Sequence, residues 1–328
     1  MEKIIVLTPV KNEDWILNEF LTATCKFADA IIIADQLSTD TSRSICANFP
    51  KVTVIDNSSA EFSKAERQVL LIETARKLFP DDKRIIFCLD ADEIIARDGI
   101  ESGDWKIIKS VGPGTTIFFE KPDLLAGLTT CLRHQDNYTG LAYVDDGANW
   151  LTKTHAARVP YNPINGTMLL VLNIKFMHFT CTRPNVRSAK FRYYSVIENI
   201  KRLTPVYLRR CNYPALFAVN NIGGEVDNQL TPESWLNGYK TMGLDLHHLP
   251  DPENSWHDYE VLKFFTIYGE QKFHLDDIWD HDWERTRLAA IHDGMASPLS
   301  DQIKGPGAFV KYIGRCIDAA YKFYKTHK

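Results

Sequence analysis

The stretch RIIFCLDADE, residues 84–93, decides the fold prediction. Its apolar part is too short for a helix core and rich in isoleucine and aromatic residues, so it predicts a buried strand. Asp90 and Asp92 follow directly, and their side chains point the same way wherever strand geometry continues. Glu93 adds a third carboxylate. We therefore expect concentrated negative charge at the end of this strand.

Three similar apolar runs precede it, at residues 4–7, 30–34 and 52–55, and helix-length segments separate them. Short apolar strands that alternate with helices predict a parallel sheet with both faces covered. Sheets of this kind bind ligands at the carboxyl ends of their strands. We therefore expect the polar segments that follow the four strands to meet at one edge. These segments are residues 8–13, 35–40, 56–57 and 90–93.

The remaining elements are predicted from length, periodicity and cap residues. Ser38 is expected to cap a helix that runs to about residue 48. The other predicted helices are residues 12–26, 61–78, 185–199, 256–268 and 308–324. Further strands are predicted at residues 115–120, 156–159 and 168–179. The change to helical character places a boundary near residue 200.

The composition limits the class of protein. The 328 residues carry 38 Lys and Arg against 42 Asp and Glu, a net charge of −4, which argues against a generally basic nucleic-acid-binding protein. The seven cysteines form no C-x-x-C pair, so free thiols fit better than a disulfide framework or a zinc knuckle. No apolar stretch approaches the roughly 20 residues that span a bilayer. We expect a cytoplasmic protein without a transmembrane segment.

The D-x-D segment at residues 90–92 suggests a metal site. Clustered carboxylates repel one another unless a cation neutralises them, and their oxygens suit Mg²⁺ or Mn²⁺. Such a cation binds phosphate oxygens and stabilises charge on a departing diphosphate. A solvated acidic turn or a helix N-terminus is the alternative, because the tripeptide is common. The position after the fourth strand favours the metal site.

Four segments occur in one order over residues 4–95: LTPVKNEDWILNEFL, IIIADQLSTDTS, FSKAERQVLLIETA and IIFCLDADE. Together they resemble the motifs of family 2 glycosyltransferases, which have a GT-A fold. The segment HFTCTRPNVRSAKFRYY, residues 178–194, resembles the lipopolysaccharide-core-type members of that family. The chain departs from the family pattern at Gln36 and Leu37, where the family usually has Asp and Gly.

The resemblance implies an α/β fold, a GT-A-type, Rossmann-like, mostly parallel sheet flanked by helices, with a helical C-terminal extension. Residues 1–200 would form the nucleotide-sugar-binding catalytic domain. Residues 201–328 would form a mainly helical region for acceptor binding or oligomerisation. The implied enzyme is a metal-dependent, inverting glycosyltransferase that uses a nucleotide sugar, expected to be a uridine diphosphate sugar, with Mn²⁺ or Mg²⁺ as cofactor.

Four residues are implied at the nucleoside. The resemblance places Pro9, Val10 and Glu13 along the nucleoside site. Asp35 would bind the base or ribose through hydrogen bonds. Glu13 has an alternative role as an acid in the first turn of a helix.

Four other residues are implied at the diphosphate. Arg67 would approach the diphosphate, with a surface helix position as the alternative. Asp90 would hold ribose or metal, and Asp92 would be the principal metal ligand. His178 would complete the metal shell, with a hydrogen-bonded core histidine as the alternative.

The segment after His178 is basic. Arg183, Arg187 and Lys190 could clamp diphosphate oxygens, since guanidinium geometry suits phosphate. A later group could meet a phosphorylated acceptor, an anionic lipid or a nucleic-acid backbone, or could form a solvated helix face. This group is Lys201, Arg202, Arg209 and Arg210.

An inverting transfer needs a base near the acceptor hydroxyl. The candidates are Asp145 and Asp146, in the segment TGLAYVDDGANW, with a polar turn as the alternative. Glu120 is the second choice. We expect Tyr143, Trp150 and Arg158 to shape the acceptor pocket; these complete the predicted site.

The partners and the alternatives remain open at this level. The acceptor could be a glycan, a lipid-linked molecule, another hydroxyl compound or a nucleic acid. The last helix has apolar residues at helical spacing, which favours docking onto the body or a homo-oligomer over membrane attachment. A nucleotidyltransferase is the alternative enzyme, although no Gly-rich, Lys-containing phosphate loop follows the first strand. A non-catalytic nucleotide-sugar-binding protein is the third possibility.

Overall fold

The computed structural model describes residues 1–57, 64–134, 138–149, 158–160, 166–214, 226–294 and 302–326. The chain divides into two compact units. The first comprises Met1–Thr182 and Gly224–Pro250, and the second comprises Arg183–Gly223 and Asp251–Lys328. The predicted functional division at residue 200 stays a prediction.

The first unit is built on an 11-stranded sheet. Its strands are β1 (Glu2–Val10), β2 (Ala30–Asp35), β3 (Val52–Asp56), β4 (Lys83–Cys88), β5 (Glu93–Ile95), β6 (Thr116–Glu120), β7 (Asp123–Leu124), β8 (Thr130–His134), β9 (Tyr138–Val144), β10 (Met168–His178) and β11 (Val226–Leu230). Its helices are α1 (Asp14–Thr24), α2 (Ser42–Cys46), α3 (Lys64–Leu78), α4 (Asp104–Ser110) and, later in the chain, α7 (Glu233–Leu236). Short 3₁₀ turns lie at Arg97–Glu101, Thr180–Thr182 and Lys240–Met242.

The sheet has the order β11-β8-β7-β10-β6-β9-β4-β1-β2-β3, with β5 paired to β10. Strands β3, β2, β1 and β4 are parallel, and β6 and β10 run in the same direction as they do. Strand β9 is antiparallel to both of its neighbours, β4 and β6. The predicted α/β fold with a mostly parallel sheet is confirmed.

The four predicted N-terminal strands are present; β1, β2 and β4 are apolar runs that are largely buried, while the edge strand β3 is partly exposed. Strand β2, for example, is buried from Ile31 to Asp35. Register joins Val10 to Asp35 and Asp35 to Asp56, while Leu7 pairs with Cys88. The polar segments after these strands therefore share one edge of the sheet, as predicted.

The helix predicted from Ser38 is wrong in its start and length. Helix α2 covers only Ser42–Cys46, and Thr41 occupies its N-cap position. The Ser38 hydroxyl instead accepts a hydrogen bond from the Asn12 backbone N–H at 3.0 Å. Of the strand predicted at residues 156–159, residues 158 and 159 are not in a strand, and the others lie outside the described residues.

The second unit is helical where the structure describes it. It contains α5 (Pro184–Lys201), α6 (Val206–Asn212), α8 (Trp256–Tyr268), α9 (Trp283–His292) and α10 (Ala308–Thr326), with a 3₁₀ turn at Glu270–Phe273. Its core includes Val196 of α5, Leu262 and Phe265 of α8 and Ala290 of α9. Among the described residues of the whole chain, no helix is long and apolar enough to cross a membrane.

Candidate functional site

Two loops at the carboxyl edge of the sheet are joined by reciprocal hydrogen bonds. In the loop after β1, the side-chain oxygen Oδ1 of Asn12 accepts from the Thr39 N–H at 2.8 Å. The Asp14 N–H donates to Asp40 Oδ2 at 3.0 Å, and the Asp14 carboxylate accepts from the Thr41 hydroxyl at 3.0 Å. These polar residues join the loop after β1 to the loop after β2.

Asp35 ends β2 between these loops with its side chain 2% exposed. Its Oδ2 accepts from Arg43 Nη1 at 2.9 Å, and the same Arg43 nitrogen donates to Asp56 Oδ1 at 2.7 Å. Its Oδ1 has no hydrogen-bond partner among the described residues. A buried carboxylate oxygen that lacks a donor carries a desolvation cost. A ligand N–H or O–H at this position would remove that cost.

Leu37, in the loop after β2, has a left-handed backbone conformation. Its φ is 53°, in the left-handed region that glycine adopts without steric cost. The side chain is 57% exposed in the loop after β2. The loop therefore holds a non-glycine residue in a conformation that favours glycine.

The acidic segment after β4 forms a tight turn. The Glu93 N–H donates to the Asp90 carbonyl oxygen at 3.0 Å, and the Asp90 N–H donates to Glu93 Oε2 at 2.9 Å. Glu93 is fully buried, and Lys121 Nζ contacts its Oε1 at 3.1 Å. Burial opposes ionisation of Glu93, but the charges of Arg158 and Lys121 outweigh it and lower its pKa to about 2. Glu93 is therefore the ionised anchor of this turn.

Arg158 crosses the acidic turn. Its Nη1 contacts both Glu93 oxygens, at 2.7 and 2.6 Å, and its Nη2 donates to Asp90 Oδ2. Gln68 of α3 supports it by donating to the Arg158 carbonyl oxygen at 3.1 Å. Burial disfavours the charged guanidinium, but Glu93 and Asp90 outweigh it and raise the Arg158 pKa. Arg158 thus lies on the acidic turn, where a cation was predicted.

Asp92 and His178 are brought together by the pairing of β5 with β10, in which His178 lies opposite Glu93. The distance from His178 Nε2 to Asp92 Oδ2 is 3.5 Å. His178 Nδ1 contacts Asp123 Oδ1 at 2.5 Å. Burial disfavours the charged ring, but Asp92 and Asp123 outweigh it and raise the His178 pKa to about 9.

The Asp92–His178 pair fits the predicted cation in part. Magnesium and first-row metal ions bind ligand atoms at about 2.0–2.2 Å, which places neighbouring ligands about 3.0–3.5 Å apart. A carboxylate behind the histidine, such as Asp123, is the usual support for such a ligand. Among the described residues, however, no group of three or more His, Cys, Asp or Glu side chains is arranged to hold a metal ion. Asp90, the predicted third ligand, is paired with Arg158.

The other predicted nucleotide contacts lie on the same edge or close to it. Pro9 and Val10 end β1, and Val10 pairs with Asp35. Glu13 precedes α1, and its Oε2 accepts from Trp15 Nε1 at 2.7 Å. Arg67 lies in the first turn of α3 and is partly exposed. Their contacts with a nucleotide remain predictions.

Three predicted diphosphate contacts belong to the second unit. Arg183 directly precedes α5 and is 9% exposed, and Arg187 and Lys190 follow within that helix. The Arg187 guanidinium lies 5.4 Å from the centre of the Phe191 ring. Their role toward a diphosphate stays a prediction.

Asp145 and Asp146 lie at the opposite edge of the sheet from Asp90, because β9 is antiparallel. The Asp145 N–H donates to the carbonyl oxygen of Arg84, near the start of β4. Arg84 and Asp90 are six residues apart along an extended segment, about 20 Å at 3.3 Å per residue. This placement does not support the predicted role of general base at the Asp92 edge.

The Asp145 carboxylate also forms ion pairs with two arginines. Its carboxylate accepts from Arg76 Nη2 at 2.7 Å and from Arg84 Nε at 2.8 Å. Burial raises the pKa of Asp145, but the hydrogen bonds from both arginines outweigh it and lower that pKa. A carboxylate held in this way is a weak base, and its evident role is to join α3 to the sheet.

The sequence interpretation missed part of the charge network. Lys121 and Asp123 follow β6 as polar residues, the same signal that located Asp90, but they were not singled out. Arg158 was expected at the acceptor pocket and instead contacts Asp90 and Glu93. Tyr143 is buried in the core, and Trp150 lies outside the described residues.

Comparison with known proteins finds distant structural neighbours. No protein-family model matches the chain, and no curated protein does. A 4-diphosphocytidyl-2C-methyl-D-erythritol synthase is 17% identical over 44% of this chain and 73% of its own, with a TM-score of 0.28. A glucosyl-3-phosphoglycerate synthase from Mycobacterium tuberculosis, in complex with Mn²⁺, uridine diphosphate and phosphoglyceric acid, is 17% identical over 36% of this chain and 43% of its own, with a TM-score of 0.25.

A glycosyltransferase involved in the glycosylation of the major capsid of PBCV-1 is 12% identical over 54% of this chain and 93% of its own, with a TM-score of 0.29. These likenesses are too distant to assign an activity to this chain.

Proposed function

We propose that the chain is a glycosyltransferase that takes a sugar from a nucleotide sugar, expected to be a uridine diphosphate sugar, and passes it to an acceptor hydroxyl. The observation that carries this proposal is the approach of Asp92 Oδ2 to His178 Nε2, at 3.5 Å, at the end of a parallel strand. The four ordered segments that resemble family 2 glycosyltransferases support it independently.

The nucleoside is proposed to bind at the ends of β1 and β2. The buried Asp35 Oδ1, which has no partner among the described residues, would accept an N–H of the base or a ribose hydroxyl. Pro9, Val10 and Glu13 would line the same site. Arg67, at the start of α3, would approach the diphosphate.

Asp92 and His178 are proposed to hold Mn²⁺ or Mg²⁺, which when bound would supply positive charge opposite the donor diphosphate. Asp123 orients the His178 ring through Nδ1. Two protein ligands suffice for this role, because such cations take their remaining ligands from water and substrate phosphates. Asp90 would contact ribose or metal after separating from Arg158.

The proposed transfer is a single displacement with inversion. The acceptor oxygen attacks the anomeric carbon, the bond from that carbon to the diphosphate oxygen breaks, and the hydroxyl proton passes to a carboxylate. Glu120 is the better candidate for this base than Asp146, because it ends β6 at the Asp92 edge. Arg133 binds both Glu120 oxygens, so Glu120 would act as the base only after separating from Arg133.

The second unit is proposed to serve acceptor binding or oligomerisation. Arg183, Arg187 and Lys190 would add positive charge for the donor diphosphate. Helix α10 exposes Phe309 by 74% and Tyr312 by 59%, which supports the predicted homo-oligomer. The molar mass in solution, measured by light scattering across a range of concentrations, tests that prediction.

Donor binding is the first test. Thermal unfolding is followed with uridine, guanosine and cytidine diphosphates and their sugars, with and without Mn²⁺. A ligand at 100 times its Kd stabilises the protein by about 2.7 kcal/mol, which is readily visible. Absence of any nucleotide effect would contradict the proposal. Pyrophosphate release from a nucleoside triphosphate and a sugar phosphate would favour a nucleotidyltransferase, and binding without turnover would favour a non-catalytic protein.

A further inference from the structure

A cavity of about 540 Å³ lies in the second unit between the end of α5, the start of α6 and the Glu270–Phe273 turn. Three of the side chains that line it are the cations Arg202, Arg209 and Lys272. Leu203 and Pro205 add apolar surface. The volume falls within the range of small-molecule sites, about 300–1,000 Å³.

Arg209 is the fixed cation of this cavity. Its side chain is 10% exposed, its Nε donates to Asp276 Oδ1 at 2.7 Å, and its Nη1 donates to the Thr204 carbonyl oxygen at 2.7 Å. Neither contact uses its Nη2 group. Asp276 balances the charge of Arg209, so the pair is neutral and still presents N–H donors.

Arg202 and Lys272 add positive charge that is not balanced in the same way. Within the part of the chain that the structure describes, neither forms an ion pair, and Lys272 Nζ lies 4.8 Å from the centre of the Tyr268 ring. The nearby carboxylate of Glu198 accepts hydrogen bonds from the Thr204 hydroxyl and, at 2.6 Å, from the Tyr213 hydroxyl. The lining of the cavity is therefore cationic.

The backbone at Arg202 provides a second observation. Arg202 ends α5 with φ 53° and ψ 35°, the left-handed conformation in which helices usually place glycine. A long cationic side chain occupies this position and lines the cavity. Residues held in sparsely populated backbone regions cluster at ligand-binding sites.

We propose that this cavity binds the phosphate group of a small phosphorylated sugar. Guanidinium groups match phosphate oxygens through paired hydrogen bonds, and Lys272 adds a point charge. The exposed side chains of Leu203 and Pro205 offer apolar surface against which a sugar ring attached to the phosphate would pack. The site lies wholly within the second unit and uses none of the residues proposed to bind the nucleotide-sugar donor, so it goes beyond that function.

Calorimetric titration of the full chain in EDTA tests the proposal, with glucose 6-phosphate, inorganic phosphate and glucose as probes. We expect saturable binding of glucose 6-phosphate, weaker binding of inorganic phosphate and no binding of glucose. Arg202→Gly should weaken glucose 6-phosphate binding at least tenfold. Its melting temperature should stay the same or rise, because glycine favours the backbone conformation at residue 202.

Lys201→Ala is the matched control, because it removes one neighbouring charge that does not line the cavity, and its affinity should stay within twofold of the wild type. Equal weakening by Arg202→Gly and Lys201→Ala would overturn the proposal, as would a wild type that binds neither phosphate probe. A single-stranded RNA oligonucleotide is the last probe. Tight RNA binding without glucose 6-phosphate binding would show a polyanion surface and also overturn it.

Discussion

The two units treat their buried charges differently. In the second unit, the buried Arg192 of α5 faces one carboxylate of α8: it binds both oxygens of Asp258, at 2.8 and 3.1 Å. In the first unit, several carboxylates converge on fewer permanent cations at the end of β4. The converging groups are Asp90, Asp92, Glu93 and Asp123 with Arg158, Lys121 and His178.

The contrast distinguishes a structural ion pair, Arg192 with Asp258, from a carboxylate cluster that is suited to binding a cation. A one-to-one pair is complete without a ligand, so it holds two helices in register. A cluster with excess carboxylate has a stronger electrostatic preference for an added cation. Its members are also close enough to interact, so the effects of single substitutions there will not add independently.

The largest expected effect is a loss of unfolding free energy when the Arg192–Asp258 pair is broken. Asp258→Ala leaves the charge of Arg192 buried and unpaired, which costs about 3–5 kcal/mol of unfolding free energy. Urea unfolding at pH 7 measures this loss. The double variant Arg192→Met with Asp258→Leu should recover most of it, because apolar residues of similar volume can replace a buried pair. A loss below about 1 kcal/mol would mean that Asp258 is not a structural partner.

A substitution in the carboxylate cluster at the end of β4 should change metal binding. Asp92→Asn is expected to weaken Mn²⁺ binding, measured by electron paramagnetic resonance, about 100-fold, because it removes a ligand charge beside His178. Asp146→Asn is the matched control, since it makes the same chemical change at the opposite edge of the sheet. Full Mn²⁺ affinity in Asp92→Asn, or equal losses in both variants, would contradict the proposed site.

Features that depend on local sequence could be predicted, and contacts between residues distant in the chain could not. The strands β1 to β4 were predictable because each is a continuous apolar run, and the edge position of Asp35, Asp90 and Asp92 follows from parallel pairing. Strand β9 was not predicted, so its antiparallel direction, which places Asp145 and Asp146 at the opposite edge from Asp92, could not be foreseen. Arg158 contacts Asp90 across 68 residues of chain, a contact that no local pattern encodes.

Acid stability should reveal another structural carboxylate of the first unit. Because the pKa of Asp145 is lowered in the folded chain, its stabilising effect is complete above its unfolded value of 3.8 and is lost as the pH falls through the lower folded value. Asp145→Asn should cost about 2 kcal/mol at pH 7 and less at pH 3. Urea midpoints at the two pH values measure this. A cost that does not shrink on acidification would contradict the assignment.

The smallest expected effects concern two left-handed residues at the edge of the sheet. The Leu37 side chain is largely exposed, so its removal costs little packing. Because the φ of Leu37 is 53°, Leu37→Gly relieves backbone strain, but it also raises the conformational entropy of the unfolded chain. We expect a net gain of about 0.5 kcal/mol in unfolding free energy. Asn12, with φ 56°, is the matched comparison, because its side-chain Oδ1 accepts a hydrogen bond from the Thr39 N–H and glycine lacks that oxygen.

Asn12→Gly should therefore lose about 1 kcal/mol in the same urea titration, although it relieves the same kind of strain. Opposite signs at Leu37 and Asn12 would show that the hydrogen bonds between the two loops, more than local backbone preference, stabilise the edge where the donor is proposed to bind. A gain at both positions would show that those hydrogen bonds contribute little to the stability of this edge.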